Sequence, residues 1–168
     1  MKNSHTFDRW WTVPEWGLSI CTPPRCGSST ILHYFAEEGI FVYQPNEIKG
    51  RAIMIYRDPV SRFTSLYKHK CRDGMGLTVG DGGHNPIEGM NPRELIEFIE
   101  TTNLYDPHWA TLTELDGGHS TETLHYLKIN DFLGCSPQVY NQTTGFEIIG
   151  PKVTERVKEW YRDDYRYL

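Results

Sequence analysis

Two runs of residues in this chain have the types and the spacing to hold phosphate groups. The first is Pro24-Arg25-Cys26-Gly27-Ser28-Ser29-Thr30. It lies between Leu18-Ser19-Ile20-Cys21, which reads as a short buried strand ended by Thr22-Pro23-Pro24, and a helix expected over residues 28–38. A helix N-terminus offers unbonded backbone N–H groups and the positive end of the helix dipole, and both favour an anion. In such a loop Gly27 lets the backbone come close, the hydroxyls of Ser28, Ser29 and Thr30 donate, and Arg25 brings a fixed charge. The run is neither GxxxxGK(S/T) nor GxGxxG. Neither Cys21 nor Cys26 is followed by an arginine six residues on, so it is not a phosphatase loop either. Taken alone, it fits a serine-capped helix start and a generic anion site equally well.

The second run is Arg57-Asp58-Pro59-Val60-Ser61-Arg62-Phe63-Thr64-Ser65-Leu66-Tyr67. Ala52-Ile53-Met54-Ile55-Tyr56 before it is apolar on both faces, as a strand inside a helix-covered parallel sheet would be. Arg57 therefore leaves the strand at the end where α/β sheets bind ligands. Asp58 and Pro59 supply an N-cap and a first helical residue, so a helix is expected to about Cys71. Ser65 falls two turns along it, on the face of Arg62. A guanidinium and a hydroxyl placed so can hold a second phosphate. The plain alternative, an Arg57–Asp58 ion pair beside a surface serine, loses weight because a phosphate loop stands one strand–helix unit upstream.

The elements that must position these residues alternate along the chain. A strand is expected at residues 40–43 after the Gly39 cap, and another at 123–129. Asn91-Pro92 with Glu94 opens a further helix that turns Leu95, Ile96, Phe98 and Ile99 inward. A C-terminal helix from Lys152 sets Val153, Val157, Trp160 and Tyr161 on one stripe. Residues 74–89 carry six glycines and little periodicity, so they read as a loop. The alternation implies one domain with a three-layer α/β fold around a mainly parallel central sheet.

Composition agrees with a globular chain: 168 residues, 38% hydrophobic and 23% charged. No apolar run reaches the roughly 20 residues of a membrane span. The first eight residues lack the apolar stretch of a secretory signal, which leads to the expectation of a cytoplasmic protein with no membrane partner. Cys21, Cys26, Cys71 and Cys135 form no CxxC pair and show no zinc spacing, and are expected to be reduced. The sequon Asn141-Gln142-Thr143 carries no weight without an export signal. A net charge of −5 argues against nucleic acid as a partner. Yet from Lys49 to Arg72 seven Lys or Arg residues face one acid, Asp58, and such a basic island suggests a local anion site. For Lys68, Lys70 and Arg72 a solvated helix face is an open alternative.

Together the two runs resemble the sulfotransferases that use 3′-phosphoadenosine-5′-phosphosulfate (PAPS). In that family a loop of Pro, Lys or Arg, any residue, Gly and two Ser or Thr binds the 5′-phosphosulfate. An Arg-Asp-Pro-x-x-Arg-x-x-Ser segment binds the 3′-phosphate through its first arginine and its serine. The resemblance implies a P-loop-like sulfotransferase fold. It assigns Arg25, Cys26, Gly27, Ser28, Ser29 and Thr30 to the 5′ end of the nucleotide, and Arg57 and Ser65 to the 3′ end. Asp106-Pro107-His108-Trp109, Tyr126-Leu127-Lys128-Ile129-Asn130-Asp131-Phe132, the sequon, and Tyr161-Arg162-Asp163-Asp164-Tyr165 are similar to later elements of the carbohydrate-sulfating branch. The likeness covers roughly residues 17 to 168. It implies transfer of a sulfuryl group to an acceptor hydroxyl, with a carbohydrate as the expected acceptor and 3′,5′-ADP as product, and no metal. Arg25 departs from the lysine of many members, and the chain is short for the family.

Sulfuryl transfer needs in-line geometry, stabilisation of the leaving phosphate and a base for the acceptor proton. Arg25 and the loop N–H groups would supply the electrostatic part. His108 is the first choice of base, from its His-Trp context, with His33 and Glu47 as alternatives. Two rivals stay open at this point: a small nucleotide kinase with an atypical loop, and a nucleotide-binding module that transfers nothing.

Overall fold

The computed structural model describes residues 9–73, 85–135 and 149–168. Among them four strands form one sheet in the order β1-β2-β3-β4: β1 Trp10–Val13, β2 Leu18–Cys21, β3 Arg51–Tyr56 and β4 Glu122–His125. β2, β3 and β4 run parallel, with Ile20 opposite Ile53 and Met54 opposite Thr123, while β1 closes one edge antiparallel to β2. The fold is α/β with a small, mostly parallel sheet. Every residue of β2 and residues 52–55 of β3 are buried, so both faces of these strands are covered. Full burial of Ile53 and Ile55 contributes roughly 1.5–3 kcal/mol each.

Among the described residues six α-helices accompany the sheet: α1 Ser28–Glu37, α2 Pro59–Leu66, α3 Pro92–Thr101, α4 Leu112–Asp116, α5 Ile129–Leu133 and α6 Pro151–Trp160. Ile31 and Phe35 of α1 pack with Leu112 and Leu115 of α4 and Ile129 of α5 in the core that contains the strands. Phe63 and Leu66 of α2, Leu95, Ile96 and Ile99 of α3, and Val153 and Val157 of α6 make a second cluster. Local signals set the helix starts. Asp58 Oδ1 accepts from Ser61 N at 2.9 Å with Pro59 at the first position, and Asn91 and Glu94 form a reciprocal capping box.

Four expectations are corrected. Residues 40–43 are not a strand; the segment lies along the outer edge of β1, where Tyr43 alone pairs, in an isolated antiparallel bridge with Thr12. β4 stops at His125, whose ring accepts from Leu127 N and turns the chain through Tyr126–Lys128 into α5. The α2 pattern ends at Leu66 and continues as a wider π-helical run, Tyr67–Arg72. Trp160 is exposed, leaving Val153, Val157 and Tyr161 as the buried stripe. The glycine-rich stretch falls largely on residues 74–84, and the Asn141-Gln142-Thr143 sequon on residues 136–148, both outside the described residues. The cysteines at 21, 26, 71 and 135 are free thiols. Among the described residues no helix is long and apolar enough to cross a membrane.

Candidate functional site

At the carboxyl end of β2 the chain makes a tight loop before α1. Cys26 N–H donates to Pro23 O at 3.1 Å, and Arg25 and Gly27 both take positive φ, 68° and 81°. A non-glycine residue in that region stores of order 1 kcal/mol or more of strain, so something must hold Arg25 there. Three arginines share the work. Arg57 donates to Arg25 O at 3.1 Å, Arg62 Nε donates to Pro24 O at 3.2 Å, and Arg25 Nε donates to Ser65 Oγ at 3.1 Å. Gly27 is required on two counts: its φ is positive, and a Cβ there would meet Ile129 Cδ1 at 2.5 Å. The close approach it permits is to α5.

α1 begins without a side-chain cap, and the N–H to Gly27 O bond of 3.3 Å belongs to Ile31. The N–H groups of Ser28, Ser29 and Thr30 precede it and point out of the helix end as donors for an anion. Cys26 contributes nothing of this kind. Its N–H is spent on Pro23, and its thiol is buried in the core, where desolvation pushes its pKa up to about 11.

The loop before α1 and the segment that opens α2 meet at Arg25. Ser65 is fully buried and receives the Arg25 guanidinium, while Arg57 lies over the Tyr126 ring at 4.7 Å with its buried Nε unpartnered among the described residues. Burial, and then repulsion from Arg57, lowers the Arg25 pKa to about 10. An anion placed beside Arg25 would offset that repulsion.

Beside the loop is a pocket of about 210 Å³ lined by Arg9, Pro24, Arg25, Ser28, Ser29, His69, Lys70 and His108. His108 Nδ1 and its backbone N–H both contact Asp106 Oδ1 at 2.7 Å. A carboxylate at Nδ1 fixes the ring and its tautomer and leaves Nε2 as the acceptor. Burial lowers the His108 pKa, and Lys70 and Arg9 lower it further, against the opposing pull of Asp106. Burial works to raise Asp106, but its hydrogen bonds with His108 and the charges nearby leave it below its ordinary value. The imidazole is thus neutral near pH 7 and can take a proton.

No protein-family model, curated protein or solved structure matches the chain.

The His108 position is built by distant parts of the sequence. Arg62, buried, donates to Ala110 O at 2.7 Å and Pro107 O at 3.0 Å as well as to Pro24, and so ties the loop to the histidine segment. Trp109 is anchored by Nε1 donating to Leu104 O and by Tyr161 OH donating to its carbonyl. Asp164 accepts from Leu112 N and Thr113 N, capping α4 from 52 residues away, and Tyr167 OH donates to Asp116. The terminal Tyr161–Tyr165 segment is therefore part of the support under the pocket.

The other candidates lie elsewhere. His33 is exposed on α1, and Glu47 is exposed and paired with Lys49 at 3.1 Å; neither lines the pocket. Thr30 is half-buried and also outside the lining. Lys70, a member of the basic island, lines the pocket from the π-helical run with His69, whereas Arg72 pairs with Asp73 in solvent. A π-helical run shifts the facing of the residues in it, so no α-helical pattern could have placed these two. Arg9 lines the pocket and Asp106 partners His108 without a sequence motif assigning a role to either. Asp106 stands two positions before His108, a spacing that could have suggested the pair.

Proposed function

We propose that this chain is a sulfotransferase that moves a sulfuryl group from PAPS to an acceptor hydroxyl, within a three-layer, P-loop-like fold. The observation that carries the reading is the Arg25 junction. One guanidinium links the loop at the α1 N-terminus to the Ser65 and Arg57 segment, and a neutral histidine with a carboxylate partner lines the same pocket. An ordinary helix start needs none of this. The unpartnered Arg57 Nε and the open N–H groups of α1 fit a nucleotide with phosphates at both ends.

In this reading the α1 N–H groups, Ser28, Ser29 and Arg25 bind the 5′-phosphosulfate, and Arg57 with Ser65 holds the 3′-phosphate. His108 Nε2 takes the acceptor hydroxyl proton as the acceptor oxygen bonds to sulfur. The bond from sulfur to the 5′-phosphate oxygen breaks, and Arg25 stabilises the charge left there. Asp106 orients the imidazole and stabilises its protonated form. A carbohydrate hydroxyl is the acceptor favoured by the likeness to the carbohydrate-sulfating branch. No metal has a role in this scheme.

The test is transfer of labelled sulfate from PAPS to a panel of sugar, phenol and alcohol acceptors, with His108→Ala as control. Label should reach a hydroxyl acceptor with the wild type alone. Transfer of phosphate from ATP in its place would support the kinase reading.

A further inference from the structure

The helix that begins at Pro59 changes pitch after Leu66, and a buried side chain from outside the helix meets it there. In α2, Phe63 and Leu66 face the second core cluster. An α-helix carried on from Leu66 would put Lys70, four residues after Leu66 and seven after Phe63, onto that buried stripe. The structure buries Cys71 in its place, 1% exposed and in the same cluster. Leu66 and Cys71 are five apart, and five is the hydrogen-bond step of a π-helix. Asp73 N–H donates to Lys68 O, also five back, at 3.1 Å. The wider pitch keeps Lys70 off the core stripe, and His69 and Lys70 line the pocket with Ser28 and Ser29.

Such a run is rare, and the carbonyls at its end need partners. Residues 85–90 supply them. Gly89 N–H donates to Cys71 O at 2.8 Å, and Asn85 Nδ2 donates to Lys70 O at 2.7 Å. Asn85 is 6% exposed, and its Oδ1 accepts from Ile87 N–H at 3.1 Å. Ile87 is fully buried in the cluster that holds Cys71, so the amide is fixed from the core side. We propose that Asn85 is a positioning residue: by holding the Lys70 carbonyl it keeps Tyr67–Arg72 in the π-helical register, and that register places His69 and Lys70 in the pocket. Without the amide the Lys70 carbonyl loses this partner, and the run loosens toward α-helical spacing, which draws His69 out of the pocket and exposes Cys71. What the pocket binds rests on the sulfotransferase reading; the register set by Asn85 does not.

Two variants of the full chain, Asn85→Ala and Asn85→Asp, test the proposal under conditions where circular dichroism shows each to be folded. In Asn85→Ala an NMR titration of His69, its signal assigned with His69→Gln, should show the pKa rising from its lowered value toward 6.5. The ring then leaves the burial and the Arg25 charge that lower it, an effect that a general loss of stability does not produce. Labelling of Cys71 by a thiol reagent, read from the mass of its peptide, should quicken roughly tenfold, as loss of one buried hydrogen bond implies. Inorganic phosphate, titrated by calorimetry, should bind roughly tenfold more weakly, as loss of a charged donor implies. Asn85→Asp keeps the acceptor for Ile87 N–H but has no donor for Lys70 O, so its Cys71 should label as fast as in Asn85→Ala. It carries the test where the alanine variant does not fold. A wild-type His69 pKa in Asn85→Ala, wild-type labelling of Cys71 in Asn85→Asp, or phosphate affinity as high as in the wild type each overturns the proposal. Failure of both phosphate and 3′,5′-ADP to bind the wild type removes the sulfotransferase reading, and His69 and Cys71 still decide the role of Asn85.

Discussion

Replacing Arg62 by Met should destabilise the chain and loosen the pocket together. The side chain is 3% exposed and donates to three backbone carbonyls, Pro24 O at 3.2 Å, Ala110 O at 2.7 Å and Pro107 O at 3.0 Å. Hydrogen bonds from a charged donor contribute about 1.5 kcal/mol each at the low end, or about 4–5 kcal/mol for three. Methionine fills similar volume and relieves the burial of a charge, which offsets part of that loss. The net expectation is about 3 kcal/mol. With a urea slope of about 2 kcal/mol/M, the unfolding midpoint should fall by about 1.5 M at unchanged slope. Arg62→Lys, which keeps the charge but not the three-way geometry, should fall in between. The assay is urea unfolding followed by circular dichroism. A midpoint within about 0.3 M of wild type would refute the reasoning, since the loop and the histidine segment would then be held by something other than Arg62.

Other outcomes follow from the same contacts. His108→Ala should lower turnover by roughly 10²–10⁴-fold while 3′,5′-ADP still binds, and Asp106→Asn should lower it less; unchanged turnover in His108→Ala removes the imidazole from the mechanism. Gly27→Ala should cost more than about 1 kcal/mol and weaken 3′,5′-ADP binding, because φ is 81° and the new Cβ meets Ile129; wild-type melting and binding would contradict this. Acidification should destabilise the fold. His69 and His108 have folded pKa values below 6.5, so beneath that pH the unfolded chain binds protons that the folded chain resists. The stability present above pH 6.5 is lost as pH falls through the lower folded values, and urea midpoints that rise on acidification would show the sign to be wrong.

The parts legible in the sequence are those specified locally. Asp58-Pro59, Asn91 with Glu94, and the apolar run of β3 each mark their element within a few residues, and the structure has them there. Trp10, Trp11, Thr12 and Val13 are strand-forming types, but a run of four with no turn signal before it becomes an element through its pairing with β2. Residues 40–43 have strand-forming types, but only Tyr43 pairs, with Thr12 on the outer edge of β1. At the pocket, the loop and His108 carry sequence patterns, whereas Arg9 and Lys70 reach it through packing. The Arg25–Ser65 bond spans 40 positions and the Arg62–Ala110 bond 48, and no spacing rule covers such distances.

Binding of a nucleotide with phosphates at both ends is tested most directly by thermal unfolding with 3′,5′-ADP, 5′-ADP and ATP. A ligand at 100 times its dissociation constant stabilises the folded state by about 2.7 kcal/mol, which for a chain of this length is about 5–10 °C. The account predicts that rise for 3′,5′-ADP and a markedly smaller one for 5′-ADP and ATP at the same concentration. Equal shifts from all three, or none from 3′,5′-ADP, would contradict it.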